Sequence, residues 1–136
     1  MAVITTDQAE ELNDEGISIL DVRTPEEFSD GHIPGALNIP VALKQEQGMI
    51  PNQDFVTVVE QHLQKDKPLV VYCKAGGRSA RATAQLQSAG FIEVLDMNAG
   101  WEGGRDPFGE PLLGWSAEGR EVETDALPEQ LYETLK

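Results

Sequence analysis

Only one thiol is present in this 136-residue chain, and it stands among cations: Cys73 opens C-K-A-G-G-R-S, residues 73–79. Lys74, Arg78 and Arg81 place three of the ten basic residues within eight positions, in a chain whose formal net charge is −14. A cysteine in an electropositive, partly enclosed setting is a candidate nucleophile, because the thiolate is the reactive form. Gly76 and Gly77 are expected to take positive φ and turn their amides inward, making an anion nest. A helix opening around Arg78 would bring its positive end to the same point, so Cys73 is expected over a ring of backbone N–H groups.

The elements that hold this loop follow from its flanks. The apolar run Leu69–Tyr72 reads as a buried strand that ends at the cysteine, and residues 79–89, alanine-rich with Gly90 as the stop, read as a helix. Strand, tight loop and helix thus present one thiol at a strand's carboxyl end. Val3 and Ile4 suggest a short first strand, followed by a helix capped by Thr5 or Thr6 and ended at Gly16. I-S-I-L-D-V-R, residues 17–23, reads as another buried strand whose polar end, Asp21 and Arg23, emerges where open α/β sheets bind ligands. Thr24 caps a short helix with Pro25 at its first position and Glu27 completing a capping box. A strand is expected around Ala36–Ile39, an amphipathic helix over Asp54–Gln64 on Phe55, Val58, Val59 and Leu63, and a strand over Phe91–Leu95. Residues 41–53 mix Gly48 and Pro51 with polar side chains and carry no clear period. The alternation of strand and helix predicts an α/β fold with a parallel sheet covered on both faces.

Two stretches, D-V-R-T-P-E-E-F-S-D-G-H-I-P-G-A-L-N-I-P from Asp21 and C-K-A-G-G-R-S from Cys73, resemble the signatures of the rhodanese family, the sulfurtransferases that carry sulfane sulfur as a cysteine persulfide. N-A-G-W-E-G-G, residues 98–104, resembles that family's second signature, and residues 105–123 resemble the glycine-rich turn and tail of some single-domain members. The resemblance spans Ile4 to Glu123. It implies a rhodanese-like three-layer domain over residues 1–124, with a mainly parallel central sheet, and leaves 125–136 as a tail in which a short helix on Leu131 and Leu135 is expected.

The resemblance also implies roles. Cys73 would attack the outer sulfur of a donor such as thiosulfate, release sulfite and hold the sulfur as a persulfide, with the loop residues Lys74, Ala75, Gly76, Gly77, Arg78 and Ser79 binding the donor. Lys74 and Arg78 would orient the anionic end, Arg78 also pairing with a carboxylate under the loop. Ser79 would donate to the sulfur or cap the helix, and Asp21 and Arg23 would brace the loop through a shared polar network. As bland alternatives, Cys73 is a buried structural thiol, the cations are surface charges and the Asp21–Arg23 pair is a structural salt bridge. His32 lies in the G-H-I-P-G-A turn, where local hydrogen bonding outweighs a general-base role; His62 reads as a surface residue and Trp101 as core packing. No metal or organic cofactor is implied.

Composition bounds the rest. The length suits one domain, and the acidic balance disfavours nucleic acid as a partner. No apolar run approaches the roughly 20 residues of a membrane helix. The N-terminus lacks the pattern of a secretory signal, and one cysteine excludes an internal disulfide, so a reducing cytoplasm is the expected setting. With no second cysteine, a persulfide must pass its sulfur to an external acceptor: cyanide, glutathione, a dithiol or a protein thiol. Three rivals stand beside this reading. A phosphatase or arsenate reductase of the same fold is disfavoured by loop length, since four residues separate Cys73 from Arg78 where cysteine phosphatases carry five. A non-enzymatic binding or sulfur-relay module would keep the fold for docking. An acidic interaction protein rests on net charge alone.

Overall fold

The computed structural model describes residues 2–136. Strand β1 (Ala2–Val3) leads into helix α1 (Thr6–Asp14). Thr5 is the cap: its hydroxyl accepts from the Gln8 amide while the Gln8 side chain accepts from the Thr5 amide, so two orphan donors are satisfied reciprocally. Strand β2 (Ser18–Asp21) follows, then helix α2 (Pro25–Ser29), where Thr24 and Glu27 form the expected capping box, and strand β3 (Leu37–Asn38).

Residues 41–53, unreadable in sequence, contain an antiparallel hairpin of β4 (Ala42–Gln45) and β5 (Gly48–Pro51). All four β5 residues are exposed, so no buried face imposes an apolar period on it. Helix α3 (Phe55–His62), strand β6 (Leu69–Tyr72) and helix α4 (Gly77–Ser88) come next. Strand β7 (Val94–Asp96) begins three residues later than its apolar start at Phe91 suggests. Phe91 instead closes α4: its N–H reaches the Leu86 carbonyl and that of Gly90 reaches Gln87, a Schellman ending with the Phe91 ring buried. Strands β8 (Gly103–Arg105) and β9 (Pro111–Leu113) make a second hairpin, followed by short 3-10 turns and helix α5 (Tyr132–Leu135).

The main sheet runs β1-β7-β6-β2-β3 with every neighbouring pair parallel. Side chains alternate across it. Leu20, Val22, Leu69, Val71 and Cys73 face a core built with α3, α4 and α5; Ile19, Val70 and Tyr72 face a second core with α1, α2 and Trp115. This is the three-layer α/β architecture expected. The tail docks on both cores, Ala126 and Leu131 on the second and Tyr132 and Leu135 on the first, where the Asn52 amide donates to the Tyr132 hydroxyl at 3.0 Å and His62 Nε2 lies 2.7 Å from the Leu135 carbonyl. Because the strands are parallel, the carboxyl ends of β2, β6 and β7 share one edge, where the chain leaves the sheet at Asp21, Tyr72 and Asp96.

Candidate active site

Cys73 leaves the carboxyl end of the central strand and is only 1% exposed. The loop turns back over it at Gly76, whose N–H donates to Sγ at 3.1 Å. Of the expected ring of N–H groups, this is the one hydrogen bond to Sγ among the described residues. Helix α4 begins one residue later, so its opening amides, which have no partner within the helix, lie at the same end of the loop.

The two glycines differ. Gly76 has φ +104°, and a Cβ there would stand 2.8 Å from the Asn98 carbonyl oxygen, so both conformation and space demand glycine. Gly77, also expected at positive φ, is instead the first helical residue of α4, with open space where a Cβ would sit. The helix needs right-handed φ from its first residue, which leaves the reversal to Gly76 alone.

Residues 98–104 hold the loop through backbone. The Trp101 and Glu102 amides donate to the carbonyls of Cys73 and Lys74 at 2.8 and 2.9 Å. At Gly100, φ +70°, a Cβ would lie 2.6 Å from the Lys74 carbonyl and 2.8 Å from that of Cys73, and at Gly104 one would lie 3.0 Å from that of Ala75. The glycines of N-A-G-W-E-G-G therefore let two stretches of main chain touch.

Arg78 projects from the first turn of α4 to Glu27 in a two-pronged pair, Nη1 to Oε1 at 2.6 Å and Nη2 to Oε2 at 2.9 Å. The carboxylate expected to partner Arg78 is therefore the one that also closes the α2 capping box. Burial alone would raise the Glu27 pKa, but the Arg78 hydrogen bonds and the Thr24 amide and hydroxyl bring it down to about 2. The same hydrogen bond, outweighing burial, pushes Arg78 above its ordinary value. Lys74 is exposed and pairs loosely with Glu102 at 3.4 Å. Ala75 is exposed at the loop's crest. Ser79 neither reaches the sulfur nor caps α4 by side chain; its buried hydroxyl donates to the Gly76 carbonyl at 3.1 Å.

Asp21 and Arg23 make a buried pair, Nη2 to Oδ2 at 2.7 Å, but on the sheet face opposite Cys73. Arg23 also donates to the Gly31 carbonyl and lies over the Trp101 ring at 4.9 Å. The Tyr72 hydroxyl donates to Asp21 Oδ2 at 2.6 Å, so the network holds the residue before the cysteine, and it meets the loop through Trp101, which lies under Arg23 and donates its amide to the Cys73 carbonyl. Burial, reinforced by the Asp21 charge, raises the Tyr72 pKa well above its ordinary value. His32 is fully buried, stacked on Phe28 with ring centroids 3.8 Å apart and Nδ1 2.8 Å from the Phe28 carbonyl. Trp101, read as core, is only partly buried and lines an opening of about 230 Å³ with Arg23, Glu27, Lys74 and Glu102.

Glu27 was legible in sequence as a helix cap and not as a partner of Arg78, because the two are far apart in the chain. No motif or spacing in the sequence marks Asp96. It ends β7, is 3% exposed, and its Oδ1 has no hydrogen-bond partner among the described residues. Burial raises its pKa, opposed by the neighbouring Ser79 hydroxyl. Among the described residues no cluster of ligating side chains is arranged for a metal ion.

A family model described as the rhodanese-like domain matches residues 5–106. Thiosulfate sulfurtransferase 16, a chloroplastic protein of Arabidopsis thaliana, is 45% identical over 86 residues, covering 63% of this chain and 72% of its own. The thiosulfate sulfurtransferase GlpE of Ectopseudomonas mendocina is 34% identical over 105 residues, covering 77% of this chain and 85% of its own. Against three further curated plant relatives the match spans 51% of their length. A solved structure from M. tuberculosis shares the fold with a TM-score of 0.73 at 24% identity, covering 92% of this chain and 98% of that one.

Proposed function

The chain belongs to the rhodanese-like domain family, and from that premise we propose that it is a sulfurtransferase working through a persulfide on Cys73. The observation that carries the reading is the Gly76 N–H donating to Cys73 Sγ at 3.1 Å where α4 begins. In the first step the Cys73 thiolate attacks the outer sulfur of thiosulfate. The sulfur–sulfur bond of the donor breaks, sulfite leaves with the electron pair, and Cys73–S–S⁻ remains. The Gly76 amide and the opening amides of α4 are the groups available to the added negative sulfur.

Lys74 and Arg78 supply positive charge for the donor's sulfonate, Arg78 with the donors that Glu27 leaves free. In the second step an acceptor nucleophile takes the outer sulfur and Cys73 departs as a thiolate. The donor class is supported by two relatives named as thiosulfate sulfurtransferases. A reducing compartment suits a lone thiol in this role.

The test is thiocyanate production from thiosulfate and cyanide by wild type and Cys73→Ser, with intact-mass analysis of the thiosulfate-treated protein. Turnover and one added sulfur, both lost in the variant, support the proposal. Turnover that survives in Cys73→Ser would end it.

A further inference from the structure

A second opening lies beside the Cys73 loop. The β4–β5 hairpin, the first turn of α2 and the loop enclose a cleft of about 430 Å³ whose lining includes Glu26, Glu27, Lys44, Met49, Lys74 and Arg78. Lys44 and Met49 are directly opposed across the hairpin, so both side chains project from one of its faces. Met49 is 46% exposed there and offers the cleft an apolar, polarisable wall.

The charges of the cleft are of two kinds. Arg78 already pairs with Glu27 and Lys74, loosely, with Glu102. Lys44 and Glu26 belong to no ion pair among the described residues, although both line the cleft. The neighbouring opening of about 230 Å³ has no such pair of unmatched charges, since its cations Arg23 and Lys74 are already joined to Asp21 and Glu102. One free cation, one free anion and a thioether wall beside the loop that carries Cys73 match a ligand that carries a carboxylate, an ammonium and a short apolar arm.

We propose that this cleft is the docking site of the sulfur acceptor, and that the acceptor is a zwitterionic amino-acid thiol, its carboxylate on Lys44, its ammonium on Glu26 and its side chain along Met49. The inference rests on the sulfurtransferase reading. The acceptor thiolate attacks the outer sulfur of Cys73–S–S⁻, a new sulfur–sulfur bond forms on the acceptor, the bond to Sγ breaks, and Cys73 leaves as a thiolate. No external oxidant or reductant is needed.

The test has two arms on the full chain. In the first, S-methylcysteine, which cannot accept sulfur, is titrated while backbone amides are followed by NMR. Saturable shifts at residues 44–49 and at Glu26, weakened about threefold in Lys44→Ala and in Glu26→Gln, are expected from the loss of one partly exposed charge contact each. Absence of saturable shifts there, or shifts indifferent to both substitutions, overturns the proposal.

In the second arm, protein loaded with thiosulfate is unloaded by cysteine, by cysteamine, which lacks the carboxylate, and by N-acetylcysteine, which lacks the ammonium. Lys44→Ala should raise KM for cysteine and N-acetylcysteine about threefold but not for cysteamine; Glu26→Gln should raise it for cysteine and cysteamine but not for N-acetylcysteine. A change common to all three thiols, or slowed loading matching slowed unloading, overturns the assignment. Wild type that never loads would sink the sulfurtransferase reading, and the first arm would still decide the cleft.

Discussion

Glu27 joins two helices: its carboxylate closes the N-terminus of α2 through Thr24 and, with both oxygens, grips Arg78 in the first turn of α4 at 2.6 and 2.9 Å. The side chains are 28% and 16% exposed, so the pair is shielded without being sealed. It ties the wall of the site to the helix on which the cysteine loop rests.

That tie predicts a pH dependence. The Glu27 pKa falls from an ordinary 4.5 to about 2 in the folded protein. The unfolded chain therefore takes up this proton first on acidification, and the stabilisation, fully present above pH 4.5, is lost as pH falls towards 2. Urea unfolding across this window should show that loss in wild type and a flatter dependence in Glu27→Gln, which should also be about 1 kcal/mol less stable at neutral pH. Equal slopes in the two proteins would contradict the pairing.

Arg78→Ala should leave the fold intact and lower kcat/KM for thiosulfate about tenfold, the scale of one charge-assisted hydrogen bond. Arg78→Lys should recover only part of it, because an ammonium keeps the charge but cannot span both Glu27 oxygens. Steady-state kinetics at constant ionic strength reads both effects. Donor kinetics unchanged in the alanine variant would remove Arg78 from the mechanism.

The glycines should separate by substitution. Gly76→Ala and Gly100→Ala each force a Cβ to positive φ and within 2.8 Å of a carbonyl oxygen, and each should cost roughly 2 kcal/mol or more. Gly77→Ala meets open space at a helical position and should stabilise by about 0.5–1 kcal/mol. Thermal unfolding of the three variants tests the contrast, which fails if Gly77→Ala is destabilised like the other two.

Asp96→Asn should stabilise the protein near neutral pH. Its carboxyl binds a proton more readily when folded, because burial disfavours the charge. Its contribution is therefore fully present below the ordinary carboxylate range and lost as pH rises through the folded value. The asparagine variant should lack that decline in urea unfolding followed from acidic to neutral pH. A variant less stable than wild type at neutral pH would mean that the charged carboxylate is held by a partner.

Much of the local structure was legible because its causes are local. Thr24 sits three residues before Glu27, so that capping box can be read from spacing, while the choice between Thr5 and Thr6 as the cap of α1 is made by the structure; the four apolar residues of β6 appear as a strand because both faces are buried. The hairpin 42–51 was not legible, since its outer strand is wholly exposed and carries no hydrophobic period.

The sequence by itself determined the order of strand, cysteine loop and helix, the position of the lone thiol within it and the family to which the chain belongs. The order and the thiol's position follow from backbone propensity and from spacings within a few residues, and the family from the resemblance of whole stretches to its signatures. Tertiary structure alone decided which distant groups meet. The parallel register that sets Asp21 beside Tyr72 puts the Asp21–Arg23 pair on the face away from Cys73, so it braces the strand end directly and reaches the loop through Trp101. The same packing brings α2 against α4, turning the capping residue Glu27 into the partner of Arg78. Such contacts arise from how the layers stack, a consequence of burying both sheet faces at once, which no local spacing encodes.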